Sequence, residues 1–233
     1  MRIFLSIFFI IIFSSDGIAQ LNPDYRPATD QINFGSAMEE QAFKRAEASP
    51  EFDILIQLFM TDVPEEAERF KERLSKFANK YDNDKLNRKK FKKKLGILYD
   101  EIHENFLKKY DDKALFKDIF STGNYNCVTA TALYAYLFNH LNIPFTIKET
   151  IVHVYGIVAP EGEESIILEF TDPVKGVRPL NDRFKEEFVD NMVANKLISQ
   201  EEFAVKSRET LFNEFYFNGN TIDLKELAGI HFY

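Results

Sequence analysis

Apolar residues recur along this chain at a helical period, then at a shorter one, then at a helical period again. Ala67, Phe70, Leu74, Phe77 and Tyr81 follow one another at steps of three and four, one face of an α-helix. Thr61-Asp62-Val63-Pro64-Glu65-Glu66 before them is a helix start: a capping residue, proline near the first turn, then acids. Phe91, Leu95, Leu98, Ile102 and Phe106 predict a second helix; Leu86 is off the repeat and marks its start, and His103 is off the stripe, an exposed polar position. Ser36, with Glu39 and Glu40, caps an earlier helix, and a short apolar run covers Phe52 to Met60. Cys127, Ala130, Tyr134, Leu137 and Leu141 lie on one face of a further helix, which Asn142 and Pro144 stop.

After that stop the pattern changes. Phe145 to Val158 is rich in β-branched residues and predicts one or two strands; residues 159–164 form a turn, and Ser165 to Thr171 a further strand ended by Asp172-Pro173. From Asp182 the helical period returns. Asn220 to Tyr233 begins an amphipathic helix with Leu224, Leu227, Ile230 and Tyr233 or His231 on its face, which fits a docked terminal helix or a partial sequence. No internal repeat is visible at periods of roughly 20 to 50 residues. The whole reads as an α+β protein: a helical region at 36–112, a mixed core at 113–181 and a helical region at 182–233.

The first residues follow a different logic. Arg2 precedes a nearly unbroken apolar run from Ile3 to Phe13, and Gly17 and Ala19 stand at the −3 and −1 positions of a small-residue cleavage site. Residues 1–19 therefore read as a signal peptide cut before Gln20, and 20–35 as an extended leader. Such a run spans only ~17 Å as a helix, short of a ~30 Å hydrocarbon core, although an uncleaved anchor is the alternative. The chain is expected to be exported, to a periplasm or the extracellular space. No cysteine lies near the cleavage site to take a lipid, and no later segment approaches the length of a membrane span.

Charge narrows the partners. The 233 residues carry 29 Lys+Arg against 37 Asp+Glu, a net of −8, which disfavours a nucleic-acid clamp. Lys85, Arg88, Lys89, Lys90, Lys92, Lys93 and Lys94 form a local basic cluster, read as a solvated helix face, with contact to a phosphate or an anionic lipid as the alternative. A single cysteine excludes an internal disulfide, a Cys-rich zinc site and an iron–sulfur cluster. His103, His140, His153 and His231 show no metal-ligand spacing, and neither a glycine-rich phosphate loop nor a GxSxG elbow is present. No metal or cofactor is implied.

What remains is nucleophilic chemistry. Cys127 opens a helix after the Gly123-Asn124-Tyr125-Asn126 turn, where unpaired N–H groups and the helix dipole favour a thiolate. His153, on the strand that follows, supplies a base, and Asp172 ends the next strand. A six-residue loop at 159–164 sets Val158 opposite Ser165, which puts Asp172 on the His153 face. A slip of one residue turns Asp172 away and promotes Glu169. Taken singly, Cys127 reads as a small packed residue and His153 as a satisfied core or edge histidine; their order along the chain is what points to catalysis.

Asn126-Cys127 opening an Ala/Leu/Tyr-rich helix, Asn142-Ile143-Pro144 after it, His153, and then Phe170-Thr171-Asp172-Pro173 resemble the transglutaminase-like superfamily, over about residues 115–180. The resemblance implies a papain-like core, a Cys-bearing helix packed on a small antiparallel sheet, in a bacterial exported member. It implies Cys127 as nucleophile, His153 as general base and acid, and Asp172 as the residue orienting it. Many relatives carry Trp just after the histidine, where this chain has Val154-Tyr155, and Tyr125 or Asn126 is the candidate to complete an oxyanion hole. The implied activity is that of a cysteine hydrolase, peptidase or acyltransferase acting on an amide or ester through a thioester, with a protein, peptide or envelope polymer as substrate. The alternative is an inactive relative that serves as a protein- or peptide-binding module.

Overall fold

A computed structural model describes residues 36–48, 57–61, 63–150 and 153–232. The segments read as signal peptide and leader lie outside the described residues, as do residues 52–56 of the apolar run, Asp62 and Tyr233.

Helix α1 (Ala37–Ala48) starts where expected, with the Glu39 N–H donating to Ser36 Oγ at 3.1 Å. A 3₁₀ turn at Pro64–Glu66 leads into α2 (Ala67–Tyr81), whose buried face is Ala67, Phe70, Leu74, Phe77 and Tyr81 together with Ala78. The next segment departs from the pattern twice. Leu86 belongs to a separate turn, α3 (Asp84–Asn87), and the long helix α4 (Phe91–Phe106) begins after it. His103 is 6% exposed rather than on the surface. The helix is covered on two adjacent stripes: Leu95, Leu98, Ile102 and Phe106 form one, and Tyr99 and His103, an i,i+4 pair, form the other.

Two short strands that the pattern did not predict come next. β1 (Lys109–Tyr110) pairs in parallel with β2 (Asn124–Tyr125), and between them lies the single turn α5 (Asp118–Ser121). Then α6 (Cys127–His140) runs with every residue from Val128 to Phe138 buried. A helix apolar all round must be enclosed by other elements. Its end is well specified. Asn142 takes a left-handed φ of 52°, the Ile143 N–H reaches the Phe138 carbonyl at 2.8 Å, and the Asn142 N–H reaches Asn139 at 3.2 Å. Those two bonds are the paired closure of a Schellman cap, which asparagine tolerates better than a residue with a bulky Cβ.

The sheet is antiparallel throughout. Its strands are β3 (Thr146–Glu149), β4 (Val154–Val158), β5 (Ile166–Leu168), β6 (Val177–Pro179) and β7 (Asn220–Ile222), in the order β6-β5-β4-β3-β7. β7 replaces the start of the expected tail helix: residues 220–222 pair with β3, and helix α10 (Leu224–Phe232) begins only afterwards. That helix buries Leu224, Leu227 and Ala228, with Ile230 left 36% exposed. Before β7 come α7 (Asp182–Ala194), α8 (Gln200–Val205), α9 (Arg208–Phe212) and a π-helical turn, Asn213–Phe217.

Alternation along the strands builds two cores. Val154, Val158, Ile166 and Leu168 join α6 and the N-terminal helices in the larger one. Tyr155, Ile157 and Ile167, from the opposite face, pack with Phe184, Val189, Leu211, Phe212 and Tyr216 of the C-terminal helices. Gly156 is needed on the first face, because a Cβ there would lie 2.7 Å from the Phe170 ring. That ring instead stacks on Tyr134 of α6 at 4.5 Å. The architecture is α+β, with helices on both faces of one sheet.

Candidate active site

The site begins with how Asn126 sets the start of α6. Its side-chain oxygen accepts the Thr129 N–H at 2.9 Å, and its own N–H donates to Thr129 Oγ1 at 2.9 Å, a reciprocal capping box. Its amide nitrogen donates to the carbonyls of Asp112 at 3.2 Å and Ala114 at 3.0 Å. The helix start is thereby tied to the 112–114 loop. Asn126 is consumed by this work, so the structure does not place its amide as an oxyanion donor. Tyr125 does not fill that place either. It is 4% exposed, its ring edge-on to His103 at 6.0 Å and to Tyr110 at 6.0 Å, within the core beneath α6.

Cys127, held at the first helical position, is half-buried. Burial alone would push its thiol up. The hydrogen bond and positive charge of His153 and the N–H groups of Val154 and Val128 outweigh that, and the thiol sits below its ordinary range. Val128 is a first-turn donor, so the helix start does stabilise sulfur charge as the sequence suggested. Tyr110 lies near enough to feel the sulfur: burial comes first in pushing its phenol up, and negative charge on Cys127 adds to the rise.

His153 lies one residue before β4. Its Nε2 is 2.6 Å from Glu169 Oε2, which leaves Nδ1 for the thiol. Burial lowers the imidazole's proton affinity, but the Glu169 carboxylate and the bond to Cys127 raise it further, to about 10. Glu169 shows the same contest. Burial would raise its pKa, and His153, the Tyr216 hydroxyl and the Arg178 charge bring it below the ordinary carboxylate value. These directions all favour a charged arrangement, sulfur negative beside a protonated imidazole with an ionised carboxylate behind it.

The carboxylate on His153 is thus Glu169 and not Asp172, a correction with a clear cause. Val158 pairs with Ile166, not Ser165, and Gly156 pairs with Leu168. Continuing that register sets Glu169 opposite Tyr155, on the His153 side, and turns Asp172 away. Asp172 works on its own loop. Its Oδ1 accepts the N–H groups of Val174 at 3.1 Å and Lys175 at 2.9 Å, and Arg178 approaches Oδ2 at 3.4 Å.

Two tyrosines that no sequence motif marked hold Glu169, one by its carboxylate and one by its main chain. The Tyr216 hydroxyl donates to Glu169 Oε1, the oxygen not used by His153. From the other core, the Tyr99 hydroxyl lies against the main-chain carbonyls of Glu169 and, at 2.9 Å, Asp172, while His103 Nε2 approaches that hydroxyl at 3.0 Å. Neither tyrosine could be found from spacing, because Tyr99 is 70 residues from Glu169 and Tyr216 is 47.

Elsewhere the chemistry thins out. His140 closes α6 at the end opposite Cys127, and His231 packs on Phe59 at 5.5 Å. Among the described residues no group of three or more His, Cys, Asp or Glu side chains is arranged to hold a metal ion, and no helix is long and apolar enough to cross a membrane. A surface concavity lined by Arg69, Phe70, Glu72, Arg73 and Lys76 contains none of Cys127, His153, Glu169 or Tyr216. In comparisons with protein-family models, curated proteins and solved structures the chain matches none, so the functional reading rests on the Cys127–His153–Glu169 arrangement itself.

Proposed function

We propose that this chain is a cysteine-dependent hydrolase or acyltransferase with a transglutaminase-like, papain-like core, in which Cys127, His153 and Glu169 act in sequence. The observation that carries the reading is a helix-initial thiol hydrogen-bonded to an imidazole that a carboxylate holds at 2.6 Å. A structural cysteine in a packed core has no need of such an ion pair, and holding one in a half-buried place costs desolvation.

The steps follow from the charges. The Cys127 thiolate attacks the carbonyl carbon of an amide or ester, and the π electrons move onto oxygen. The Val128 N–H, which stabilises charge on the sulfur before attack, would donate to that oxyanion once the sulfur is acylated, and the Tyr110 phenol is near enough to feel the sulfur's charge. Collapse restores the carbonyl and breaks the C–N or C–O bond, and His153 gives its proton to the departing amine or alcohol. A thioester remains on Cys127. Water attacking it, with His153 taking the water's proton, yields the acid and frees the thiolate; an amine attacking instead yields a new amide. Glu169 keeps the ring aimed and supports its positive charge through both halves.

The order of helix-borne cysteine, a histidine just before a strand and an acid after the next strand supports the family resemblance, with glutamate in the acid's place. The reading of residues 1–19 as a signal peptide supports a periplasmic or extracellular site of action on a protein, peptide or envelope polymer. The test is the pH dependence of Cys127 alkylation by iodoacetamide, on the wild-type chain and on His153→Ala. An ordinary thiol titrates near ~8.5. Rapid alkylation persisting at pH 6 and lost in His153→Ala is the expected result; a rate following an ordinary thiol in both proteins overturns the proposal.

A further inference from the structure

We propose that Tyr216 is a positioning residue of this site, whose hydroxyl fixes the Glu169 carboxylate and so joins the C-terminal helices to the reactivity of Cys127. The inference rests on the catalytic reading above and extends it to a region that carries no reacting atom.

The geometry is specific. Glu169 uses its two oxygens on two different elements: Oε2 meets His153 at 2.6 Å, and Oε1 takes the Tyr216 hydroxyl. The terminal torsion of a glutamate is broad, so a carboxylate held at one oxygen swings. The second donor removes that freedom and decides which oxygen faces the imidazole. Tyr216 is itself held firmly. Its ring stacks on Tyr155 at 4.5 Å, the Tyr155 hydroxyl donates to the Tyr216 carbonyl at 2.8 Å, and Phe188 and Phe212 close around it at 4.7 and 5.2 Å. It is presented by the π-helical turn Asn213–Phe217, a widened geometry that costs regular hydrogen bonding and is used mostly where a side chain must be re-aimed.

The other groups around the carboxylate do not duplicate this contact. Arg178 contributes charge, and the Tyr155 and Tyr99 phenols lie within its field. Around the sulfur the titratable groups are His153 and Tyr110. Removing the Tyr216 hydroxyl therefore leaves Glu169 ionised beside Arg178 but less well aimed, and weakens its support of the imidazolium. The thiolate–imidazolium pair should then persist over a narrower pH range, closing from both ends.

The experiment compares iodoacetamide alkylation from pH 5 to 10 in the full chain, Tyr216→Phe and Phe212→Leu. Tyr216→Phe keeps the ring and its stacking. Its rate at pH 6 is expected to fall about 10-fold, the scale of one charge-assisted hydrogen bond, as the rising limb of the profile moves to higher pH. Phe212→Leu disturbs the same cluster without touching Glu169, and is expected to lower the melting temperature while leaving the profile in place. An activated wild-type thiol with an unshifted Tyr216→Phe profile overturns this inference alone. Equal shifts in both variants also overturn it, because the effect is then one of packing. An ordinary thiol in the wild type overturns the catalytic reading first.

Discussion

Tyr99 and Gly176 share one space: a Cβ on Gly176 would fall within contact distance of both the Tyr99 hydroxyl and the Glu169 carbonyl. The hydroxyl cannot simply swing aside, because it lies against the Glu169 and Asp172 carbonyls, and the Glu169 N–H is bonded to the Gly176 carbonyl at 2.8 Å. Gly176→Ala should therefore destabilise the chain by about 1–3 kcal/mol, the range for overpacking, and slow Cys127 alkylation at pH 7 by displacing Glu169. Urea unfolding read beside the alkylation rate checks both. An alanine variant as stable as the wild type would show that the loop is not clamped on Tyr99.

The two acids near His153 should separate cleanly. Glu169→Gln removes the charge that supports the imidazolium, and alkylation at pH 6 should fall by about 10- to 100-fold, one to two pKa units of differential stabilisation. Asp172→Asn keeps an Oδ1 acceptor for the two loop N–H groups and loses the negative charge and the Oδ2 that Arg178 approaches, so it should cost at most about 1 kcal/mol of stability and leave the alkylation profile within about 2-fold. Parallel profiles for the two variants decide the matter, and a collapse in Asp172→Asn alone restores it as the orienting acid.

His103 sets the acid side of the stability curve. It is 6% exposed, its Nδ1 has no hydrogen-bond partner among the described residues, and burial brings its pKa down to about 4 from 6.5. A base whose folded pKa is depressed binds its proton more readily when unfolded, so stability is complete above pH 6.5 and is lost as pH falls towards 4. Between pH 7 and 5 this one group should remove about 2 kcal/mol. His153 runs the other way: its pKa is raised, so its contribution is full below pH 6.5 and fades as pH rises towards about 10. Chemical denaturation at pH 7 and 5 on the wild type and His103→Phe tests the first effect; the variant should show the smaller drop.

Asn126 distinguishes a scaffold from a catalyst. Asn126→Ala loses the cap on Thr129 and both loop carbonyl contacts, and should cost about 2 kcal/mol. Asn126→Asp keeps the acceptor and loses the two donations, so it should fall between. If Asn126 were instead the oxyanion donor, thioester formation with an ester substrate would collapse at unchanged stability.

Much of this was legible in the chain. The helices at 67–81, 91–106 and 127–140 follow their apolar stripes, and the turn before Cys127 marks it as the first residue of a helix. What stayed hidden has physical causes. Every residue of β4 and β5 is buried, so no polar alternation fixed their register, and one residue of loop length decided between Asp172 and Glu169. His103 was misplaced because α4 is covered on two stripes, and a single-stripe reading leaves the second one in water. β7 is three residues long, too short to show a period, and its partner β3 lies some 70 residues away.

One consequence follows from the sheet being covered on both faces. The sulfur comes from one layer and Tyr216 from the other, so neither layer can lift away without loosening the carboxylate between them. Subglobal opening of the C-terminal helices, well short of melting, should quench the thiolate while most of the larger core stays closed. The lone cysteine then acts as a gauge of the molecule's own breathing, reporting local loss of order before any global probe can register it.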